Sequence, residues 1–426
     1  MLGRGDGEAT GETERLVFCR QRPNALVACP PIGGPAISHE QLVLRPTAGG
    51  LELERVGRCP VLVNGSPVDR GIIGPGETLT LKHQLVLFCS RRSAQMPALR
   101  SLEAPAGQRF GEPDEHGMVG ESPAAWELRE QLAFTARSDR HVLLLGESGS
   151  GKELAAQAIH RLSRRHAAPL VARNAATFPP GIIDAELFGN VKDYPNPGME
   201  ARPGLIGEAD GSTLFLDEIA ELPARLQAHL LRVLDAGGEY QRLGDASMRR
   251  ADLRIIAATN RDPSEIKDDL LARLTLRVTV PGLGDRAEDV PLLVRHLMVR
   301  AAEQNPDIGQ RFLFERADGL PEARLDPELV EALLRHRHTH HVRELEGLLW
   351  RAIADSPGNY VALTPGVQEQ LVVMEVPAQA EEELTGERIR ACLDRHDGKV
   401  SRAWRELGLK SRYALYRLMK KHDIAG

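Results

Sequence analysis

Apolar and polar positions follow different patterns in three parts of this chain. Within residues 13–92, short apolar runs of strand length alternate with turns rich in Gly, Pro and Asn, such as Asn64-Gly65. This pattern predicts a small antiparallel β-sandwich. Its strands are expected at Leu16–Cys19, Ala25–Cys29, Gln41–Leu44, Leu51–Leu53, Val61–Val63, Thr78–Leu81 and Gln84–Cys89.

From about Glu121 the pattern changes to apolar runs that alternate with helical segments. A helix near Ala124–Ala136 precedes the apolar run His141–Leu145. Alternation of this kind predicts a mostly parallel sheet covered by helices on both faces. The further expected elements are a helix at Glu153–Arg165 and strands at Leu170–Val171, Thr213–Leu216 and Leu253–Ala258.

The remaining residues are helical or irregular. Apolar spacing is helical within 289–355 and 382–424, whereas 93–117 and 356–381 lack periodicity and predict linkers. The predicted fold class is therefore multidomain. It comprises an all-β sandwich at 13–92, an α/β unit at 118–355 whose helical lid covers 286–355, and an all-α unit at 382–426.

Composition excludes several classes of protein. The formal net charge of −6 excludes a chain that is basic throughout, and 4% aromatic residues are too few for a large base-stacking surface. No apolar run approaches the roughly 18 residues that cross a bilayer, and the N-terminus lacks an apolar signal core. We therefore expect a cytoplasmic protein without a membrane partner. Five cysteines without a C-x-x-C pair predict reduced thiols.

The strongest chemical motif follows the run His141–Leu145. It fits the pattern G-x-x-x-x-G-K between a predicted strand and a predicted helix. Its glycines let backbone N–H groups turn toward a polyphosphate, and Lys152 is placed to contact the outer phosphates. The predicted nucleotide-binding residues of this loop are Gly146, Glu147, Ser148, Gly149, Ser150, Gly151, Lys152 and Glu153. The last of these stands where a Ser or Thr usually contacts magnesium.

Polar residues also end two later apolar strands. Asp217 and Glu218 follow Thr213–Leu216, and Asn260 follows Leu253–Ala258. Asp217 could hold magnesium, Glu218 could orient or deprotonate an attacking water, and Asn260 could sense the terminal phosphate. Because the carboxyl ends of parallel strands meet at one sheet edge, these groups are expected to converge on one ligand.

Residues 118–355 resemble the AAA+ P-loop domain of sigma-54-dependent transcriptional activators, the bacterial enhancer-binding proteins. The motifs that carry the resemblance are GESGSGKELAAQAIH, AELFG, GEADGSTLFLDEIAELP, HLLRVLD, RIIAATNRD and VRELEG. The resemblance implies a ring, usually a hexamer, that is driven by ATP with Mg²⁺ and shares each active site between neighbouring subunits. It also implies that glutamate at position 153 is normal.

The resemblance assigns further roles by position. Asn174 matches the residue that restrains the catalytic glutamate, and Asn260 and Arg343 match the two sensors of the nucleotide. Arg273 matches one of two arginine fingers donated across the subunit interface. Lys267 stands at the other finger position, where it keeps the charge without the planar fork.

The family's sigma-54 contact loop, GAFTGA, is replaced in this chain. Alignment without gaps places Asp193-Tyr194-Pro195-Asn196-Pro197-Gly198 on it. The Phe and Thr that engage sigma-54 in the family become Pro195 and Asn196. The contact with sigma-54 is therefore in question, although the nucleotide site looks intact.

Four histidines lie close together before Val342, at His336, His338, His340 and His341. Histidines at this spacing can bind a metal ion when the fold brings the imidazoles together. We expect no Cys or carboxylate ligand at this spacing, and the segment is predicted to be a turn before a helix. A solvated turn is the expected outcome.

The C-terminal unit is similar to the Fis-type helix-turn-helix domain that ends enhancer-binding proteins. Between Lys399 and His422, eight Lys and Arg residues stand against one acid, a formal charge of +7. Such a segment is expected to bind double-stranded DNA through phosphate and groove contacts. The candidate DNA-binding residues are Lys410, Ser411, Arg412, Tyr413 and Arg417.

The N-terminal unit is similar, more weakly, to forkhead-associated domains. Ser38 and Asn64 match positions that bind phosphopeptide in that family, but His39 replaces the arginine that grips the phosphate. A phosphoprotein partner is therefore one alternative, and a protein-interaction or structural sandwich is the other.

Three hypotheses about function follow. The first is a DNA-binding ATPase that remodels RNA polymerase holoenzyme containing sigma-54, with the sandwich as its regulator. The second is a scaffold that binds nucleotide and DNA without remodelling activity. The third is a regulator of promoters that use another sigma factor.

Overall fold

The computed structural model describes residues 1–5, 14–102, 108–179, 181–235, 237–316, 319–371, 386–396, 400–407, 409, 415–416, 418–419, 422 and 424. Short antiparallel strands build the N-terminal unit. They are β1 (Cys19–Arg22), β2 (Ala25–Ala28), β3 (Leu42–Thr47), β4 (Gly50–Arg55), β5 (Val61–Val63), β6 (Ser66–Pro67), β7 (Arg70–Ile73), β8 (Thr78–Leu81) and β9 (Leu85–Phe88).

Two antiparallel sheets in this unit enclose one apolar core. Their strand orders are β3-β4-β7 and β6-β5-β8-β9, and β1 and β2 form a separate hairpin. Both sheets supply side chains to one buried cluster, which includes Leu42, Leu53, Ile73, Val61, Leu79 and Leu81. The sequence prediction omitted β6 and β7, since a two-residue strand and the segment Arg-Gly-Ile-Ile have too little apolar alternation to be recognised.

The predicted linker 93–117 is irregular over its described residues, but it is fixed to the next unit. Helix α1 (Pro123–Ala136) carries Glu130, which accepts hydrogen bonds from the backbone N–H groups of Ser101 at 2.7 Å and Leu102 at 3.1 Å. Asp114 forms an ion pair of 2.7 Å with the buried Arg129 of the same helix. The linker is therefore packed against the α/β unit.

A five-stranded parallel sheet forms the centre of the α/β unit, with the order β11-β12-β15-β10-β16. Its strands are β10 (Val142–Leu145), β11 (Val171–Asn174), β12 (Thr213–Asp217), β15 (Arg254–Thr259) and β16 (Leu276–Thr279), and a small hairpin joins β13 (Glu239–Tyr240) and β14 (Arg249–Arg250). Its helices are α2 (Lys152–Leu162), α3 (Ile183–Phe188), α4 (Gly204–Glu208), α5 (Ala224–Leu234) and α6 (Asp268–Arg273). The parallel sheet and its first four strands confirm the prediction, which omitted β16.

Both faces of this sheet are buried. Along β10, Leu143 belongs to the cluster on one face, whereas Val142 and Leu144 belong to the cluster on the other. Apolar side chains on both faces explain why the strands are nearly continuous apolar runs. The polar groups are therefore confined to the strand ends.

The lid is mainly helical and buries its own core. Its elements are α7 (Val290–Gln304), α8 (Pro306–Phe312), β17 (Leu313–Glu315), β18 (Pro321–Ala323), α9 (Pro327–Arg335), α10 (His341–Asp355) and α11 (Pro365–Gln368). Val361 and Val367 are fully buried in this core. The predicted linker 356–381 is therefore wrong for residues 356–371, which pack with the lid because their apolar side chains complete it.

The N-terminal unit docks on helix α9 of the lid. The hydroxyl groups of Thr78 and Thr80 donate hydrogen bonds of 2.9 and 2.8 Å to the two carboxylate oxygens of Glu331, which is 6% exposed. Val86 and Phe88 of β9 pack against the lid core. The two units therefore share a buried interface with a satisfied charge at its centre.

The C-terminal unit includes α12 (Gly386–Arg395) and α13 (Val400–Glu406), which pack around Ile389, Cys392 and Ala403. The third predicted helix falls mostly outside the described residues. All five cysteines are free in the structure. Among the described helices, none combines the length and apolar character that a bilayer span requires.

Candidate nucleotide-binding site

The loop between β10 and α2 has the backbone that its glycines predict. Gly149 and Gly151 have φ angles of +81° and +105°, in the left-handed region that favours glycine. A β-carbon at Gly149 would lie 2.2 Å from the carbonyl oxygen of His340. Glycine at position 149 thus lets the lid approach the loop, and Gly151 begins α2 with its N–H groups available for an anion.

Lys152 is the first residue of α2, directly after this loop, and its side chain faces the end of β12. Its ammonium group donates hydrogen bonds to the carbonyl oxygens of Gly146 at 3.0 Å and Glu147 at 3.3 Å. Its Nζ is 3.8 Å from a carboxylate oxygen of Glu218, and only 7% of Lys152 is exposed. The ammonium group of the buried Lys152 and the carboxylate of Glu218 therefore lie next to each other in this site.

Asp217, Glu218 and Asn260 converge as predicted, because β12 and β15 are adjacent and parallel. Glu218 has φ +53° and accepts a hydrogen bond of 3.0 Å from the backbone N–H of Asn260. Asn174 lies opposite Asp217 in the register of β11 and β12, and its amide donates to the Asp217 carboxylate at 3.3 Å. The observed partner of Asn174 is therefore Asp217, whereas the resemblance implied Glu218.

The lid closes over the loop through the start of α10. Arg343 donates to the hydroxyl of Ser148 at 3.0 Å, and the N–H of Val342 donates to the carbonyl of Gly149 at 3.2 Å. The predicted second sensor is therefore in direct contact with the predicted phosphate loop.

His341 is a site residue that the sequence interpretation missed. Its Nδ1 accepts a hydrogen bond from the N–H of Leu283, so its Nε2 carries the proton and donates to the Glu147 carboxylate at 3.1 Å. It is 5% exposed and links the lid, the segment before the lid and the loop. Its position two residues before Arg343 was the available signal.

The site fits a nucleotide phosphate and its metal ion. The hydroxyl of Ser150 is buried in the loop and has no hydrogen-bond partner among the described residues, as expected of a group that needs a ligand. Asp217 offers carboxylate oxygens, the ligand type that Mg²⁺ prefers. Glu153 is exposed and contacts Gln157 at 3.5 Å, so its side chain faces away from this cluster.

Arg273 lies at the opposite edge of the sheet. Its guanidinium pairs with Asp235 at 2.6 Å and lines a cavity of about 920 Å³ together with Arg140 and His141, which precede β10. The phosphate loop follows β10, so the length of that strand separates Arg273 from the nucleotide of its own chain. Lys267 precedes the same helix, α6, and its N–H donates to Gln227 at 3.0 Å.

The loop that replaces the sigma-54 contact motif is short and exposed. All residues from Asp193 to Gly198 are exposed, and the Asp193 carboxylate accepts the N–H of Gly198 at 2.7 Å. The buried Asn190 amide donates to the carbonyls of Tyr194 at 3.2 Å and Glu200 at 3.0 Å. The loop is therefore closed by a hydrogen bond between its own ends and is held in place by the side chain of Asn190.

The two candidate phosphopeptide residues belong to separate hydrogen-bond networks. The Ser38 hydroxyl accepts the N–H of Arg58 at 3.1 Å. The Asn64 amide donates to Glu77 at 2.8 Å, and the Asn64 carbonyl accepts a 2.8 Å hydrogen bond from Arg335 of the lid. Asn64 is thus part of the interface between the sandwich and α9.

The histidine segment differs from the solvated turn that was expected. His336, His338 and His341 are 2%, 8% and 5% exposed, and only His340 of the four is exposed. The expectation is wrong because these rings fill the junction between α9 and α10. The candidate DNA-binding residues Lys410, Ser411, Arg412, Tyr413 and Arg417 lie outside the described residues.

The part of the chain that contains this site is similar to known proteins. Residues 118–280 match the model of the Sigma-54 interaction domain. The chain is 37% identical over 309 residues to the DNA-binding transcriptional regulator NtrC of Azospirillum brasilense, and the match covers 70% of this chain and 61% of that protein. It is 34% identical over 320 residues to the transcriptional regulatory protein ZraR of Escherichia coli (strain K12), covering 71% of this chain and 68% of ZraR.

A solved structure shares the fold. The crystal structure of NtrX from Brucella abortus in complex with ATP aligns with a TM-score of 0.51 at 30% sequence identity, over 74% of this chain and 70% of that chain. The present chain spans about three fifths of the length of the NtrC relative.

Proposed function

The chain belongs to the sigma-54 activator family, and on that premise we propose that it is an ATP-dependent, sequence-specific DNA-binding transcription regulator. The observation that carries the proposal is the convergence of Lys152, Glu218 and Asp217 at one sheet edge beneath Arg343 of the lid. Relatives named as transcriptional regulators and an NtrX structure in complex with ATP support the same function.

The proposed reaction is hydrolysis of ATP. Lys152 and the loop N–H groups hold the phosphates, and Arg343 contacts them from the lid. Glu218, fixed by the N–H of Asn260, orients the attacking water and accepts its proton. Asp217, with Asn174 on its second oxygen, would hold Mg²⁺, which neutralises charge on the phosphate oxygens when bound.

We propose that the active site is completed by a second copy of the chain. Arg273 lies at the amino edge of its own sheet and cannot reach its own nucleotide, so it acts on a neighbour's. A cyclic ring, with six copies as the family norm, satisfies this head-to-tail geometry. Lys267 is proposed to add a second positive charge at that interface.

Contact with RNA polymerase containing sigma-54 is the leading proposal for what the ring acts on. The match to the Sigma-54 interaction domain supports it. The closed, exposed loop at 193–198 favours the alternative, in which the chain acts at promoters of another sigma factor. A scaffold that binds nucleotide without hydrolysing it is the remaining alternative, and the placement of Glu218 speaks against it.

The terminal units are proposed to supply the target and the input. The segment with formal charge +7 is proposed to bind double-stranded DNA as a Fis-type helix-turn-helix, with affinity that falls as salt rises. The forkhead-associated-like sandwich is proposed to regulate the motor through its buried contact with α9. A phosphoprotein that binds near Asn64 would have to displace Arg335 of the lid.

The decisive experiment is an open-complex assay with purified sigma-54 polymerase, on DNA selected by residues 382–426. Wild-type protein with ATP is expected to form open complexes, whereas Glu218→Gln with ATP is not. ATP hydrolysis without open complexes supports the alternative sigma factor. Equal hydrolysis rates for wild type and variant at every protein concentration would leave only the scaffold.

A further inference from the structure

The junction between α9 and α10 brings two imidazoles and a carboxylate together. His336, His338 and Glu344 each place a ligand atom within 4.8 Å of the other two. The rings of His336 and His338 stand almost perpendicular, with centroids 4.7 Å apart. The Nε2 of His336 lies 2.8 Å from a carboxylate oxygen of Glu344. Three potential metal ligands therefore lie close together, two from the segment after α9 and one from the first turn of α10.

One nitrogen in this cluster is available for a ligand. His338 is 8% exposed, and its Nε2 lies 2.9 Å from the carbonyl oxygen of Leu333, so Nε2 carries the proton and donates. Its Nδ1 therefore presents a lone pair, which is buried and has no hydrogen-bond partner among the described residues. Leaving such a buried group without a hydrogen bond is unfavourable, and a bound cation would satisfy it.

The side chains in the cluster are of the types that suit a cation. His336 and His338 offer imidazole nitrogens and Glu344 offers a carboxylate. These are donors that zinc binds in proteins.

A second layer of hydrogen bonds holds the candidate ligands. The Leu333 carbonyl orients His338. The second oxygen of Glu344 accepts from the His340 N–H at 2.8 Å and from the Thr339 hydroxyl at 3.1 Å. Such outer partners are characteristic of histidine and carboxylate metal ligands.

We propose that His336, His338 and Glu344 form a binding site for a divalent transition-metal ion, with Zn²⁺ as the best match. Three protein ligands leave the fourth position of a tetrahedral ion to water. Nδ1 is the ligand atom of His338.

The position of this site connects it with the motor. Helix α9 carries Glu331, which bonds the N-terminal sheet, and α10 carries Arg343, which contacts Ser148 of the phosphate loop. A metal ion at their junction fixes the end of α9 to the start of α10, and so fixes Arg343 over the nucleotide. This consequence rests on the proposed ATP binding, whereas the metal site itself does not.

The test is Zn²⁺ titration of the full chain without nucleotide, after removal of metal by a chelator, in competition with a chromophoric chelator. Co²⁺ is then added in place of Zn²⁺ to record the visible bands of a four-coordinate site. Wild type is expected to bind one equivalent at this site. His338→Phe, which retains an aromatic ring, and Glu344→Gln are expected to weaken binding at least about 100-fold, since even outer-shell partners are worth about 10–100-fold.

Controls separate this site from other ligands in the chain. His340→Asn removes an exposed neighbouring imidazole and is expected to bind like wild type. Cys392→Ser removes a ligand from the other described cluster, Cys392, His396 and Glu406, and is also expected to bind normally. Wild-type affinity in both His338→Phe and Glu344→Gln overturns the proposal, as does loss of the tight equivalent only in Cys392→Ser. ATP affinity, measured separately, tests the proposed function.

Discussion

At the carboxyl edge of the parallel sheet the charged side chains converge on the phosphate loop, whereas at the amino edge Arg273, which pairs with Asp235, lines a cavity. Lys152, Glu218 and Asp217 meet around the phosphate loop with contacts of 3.0–3.8 Å. Arg273 and Arg140 face a cavity of about 920 Å³ at the other edge. One edge is organised to receive a ligand, and the other carries the cation that is proposed to serve a neighbouring chain.

This difference would let one fold supply both halves of the proposed shared active site. Parallel strands place all their carboxyl ends together, so the hydrolytic groups collect at one edge. Arg273, the proposed finger, is the last residue of α6, and this end of the helix lies beside the opposite edge. In the proposed ring, head-to-tail copies would bring the amino edge of one chain to the nucleotide of the next.

The largest effect is expected from Arg273→Ala, which removes the proposed finger. ATP turnover should fall by about 10³–10⁵, because the guanidinium neutralises transition-state charge. Mixing this variant with Glu218→Gln should restore activity, since the second variant supplies Arg273 to the intact site of the first. Arg164→Ala, at an exposed position, is the matched control. A mixture no more active than its separate components contradicts the shared site.

The second-largest effect on ATP hydrolysis is expected from a change at the carboxyl edge. Glu218→Gln should lower the hydrolysis rate by about 10²–10⁴, the usual contribution of a general base. ATP affinity should change only slightly, because Lys152 and the loop remain. Turnover and equilibrium ATP binding are the measurements, with the exposed Glu208→Gln as control. Loss of ATP binding in parallel with turnover would instead assign Glu218 to binding.

Burial of His141 at the amino edge should make the free energy of unfolding depend on pH. Burial lowers the pKa of His141 to about 4, against an ordinary value of 6.5. Between these two pH values the unfolded chain therefore binds more protons than the folded chain. The contribution of His141 to the free energy of unfolding is complete above pH 6.5 and is lost as the pH falls toward 4. At pH 5 the loss should reach about 2 kcal/mol as an upper limit.

Urea unfolding at pH 7.5 and pH 5 measures this loss. His141→Asn keeps an acceptor for the N–H of Ile255, which bonds His141 at 3.0 Å, and removes the titration. The variant should lose less stability than wild type on acidification. Identical losses would show that the His141 environment does not exclude the proton.

The buried carboxylate of Glu331 lies outside the parallel sheet, between the sandwich and the lid. Thr80→Val leaves one oxygen of Glu331 without its 2.8 Å hydrogen bond and should cost about 1–3 kcal/mol. Hydrogen exchange of α9 amides is the measurement, and Thr47→Val is the exposed control. The triple variant Thr78→Val, Thr80→Val, Glu331→Leu should recover most of the protection. If Thr80→Val leaves α9 protection unchanged, the sandwich does not stabilise the lid through this contact.

The smallest effect on hydrolysis is expected at the exposed loop. Tyr194→Ala should change ATP turnover by no more than about two-fold, as surface substitutions usually change energies by at most 0.5 kcal/mol. The Tyr194 ring lies beside Gly244 on a neighbouring loop, where an added β-carbon would be 2.6 Å from its Cγ. Turnover and open-complex formation, measured side by side, distinguish the motor from its partner contact. A large fall in turnover would place this loop in the catalytic machinery.

Strand-end chemistry was predictable, but the partners of each group were not. The apolar runs before Gly146 and Asp217 predicted parallel strands, and so predicted that Lys152 and Glu218 would meet. They could not predict that the Asn174 amide would contact Asp217, because that pair depends on the register of β11 and β12. His341 was missed for a similar reason, since its two partners, Leu283 and Glu147, are distant in sequence.

The boundaries of the lid show the same limit. Residues 356–371 have little periodicity, yet Val361 and Val367 are fully buried because the lid core has space for them. Likewise, the histidines before Val342 look like a polar turn in isolation. Only the folded junction between α9 and α10 removes His336 and His338 from water.

The sequence by itself determined the order of the units, the parallel sheet and the chemistry of the phosphate loop. These depend on local periodicity and on residues adjacent in the chain. The tertiary structure alone decided which sheet edge receives Arg273, how Glu331 joins the sandwich to the lid and where the buried histidines lie. Those contacts link residues far apart in sequence, and they form only when separate apolar faces pack together and leave their polar groups to find partners.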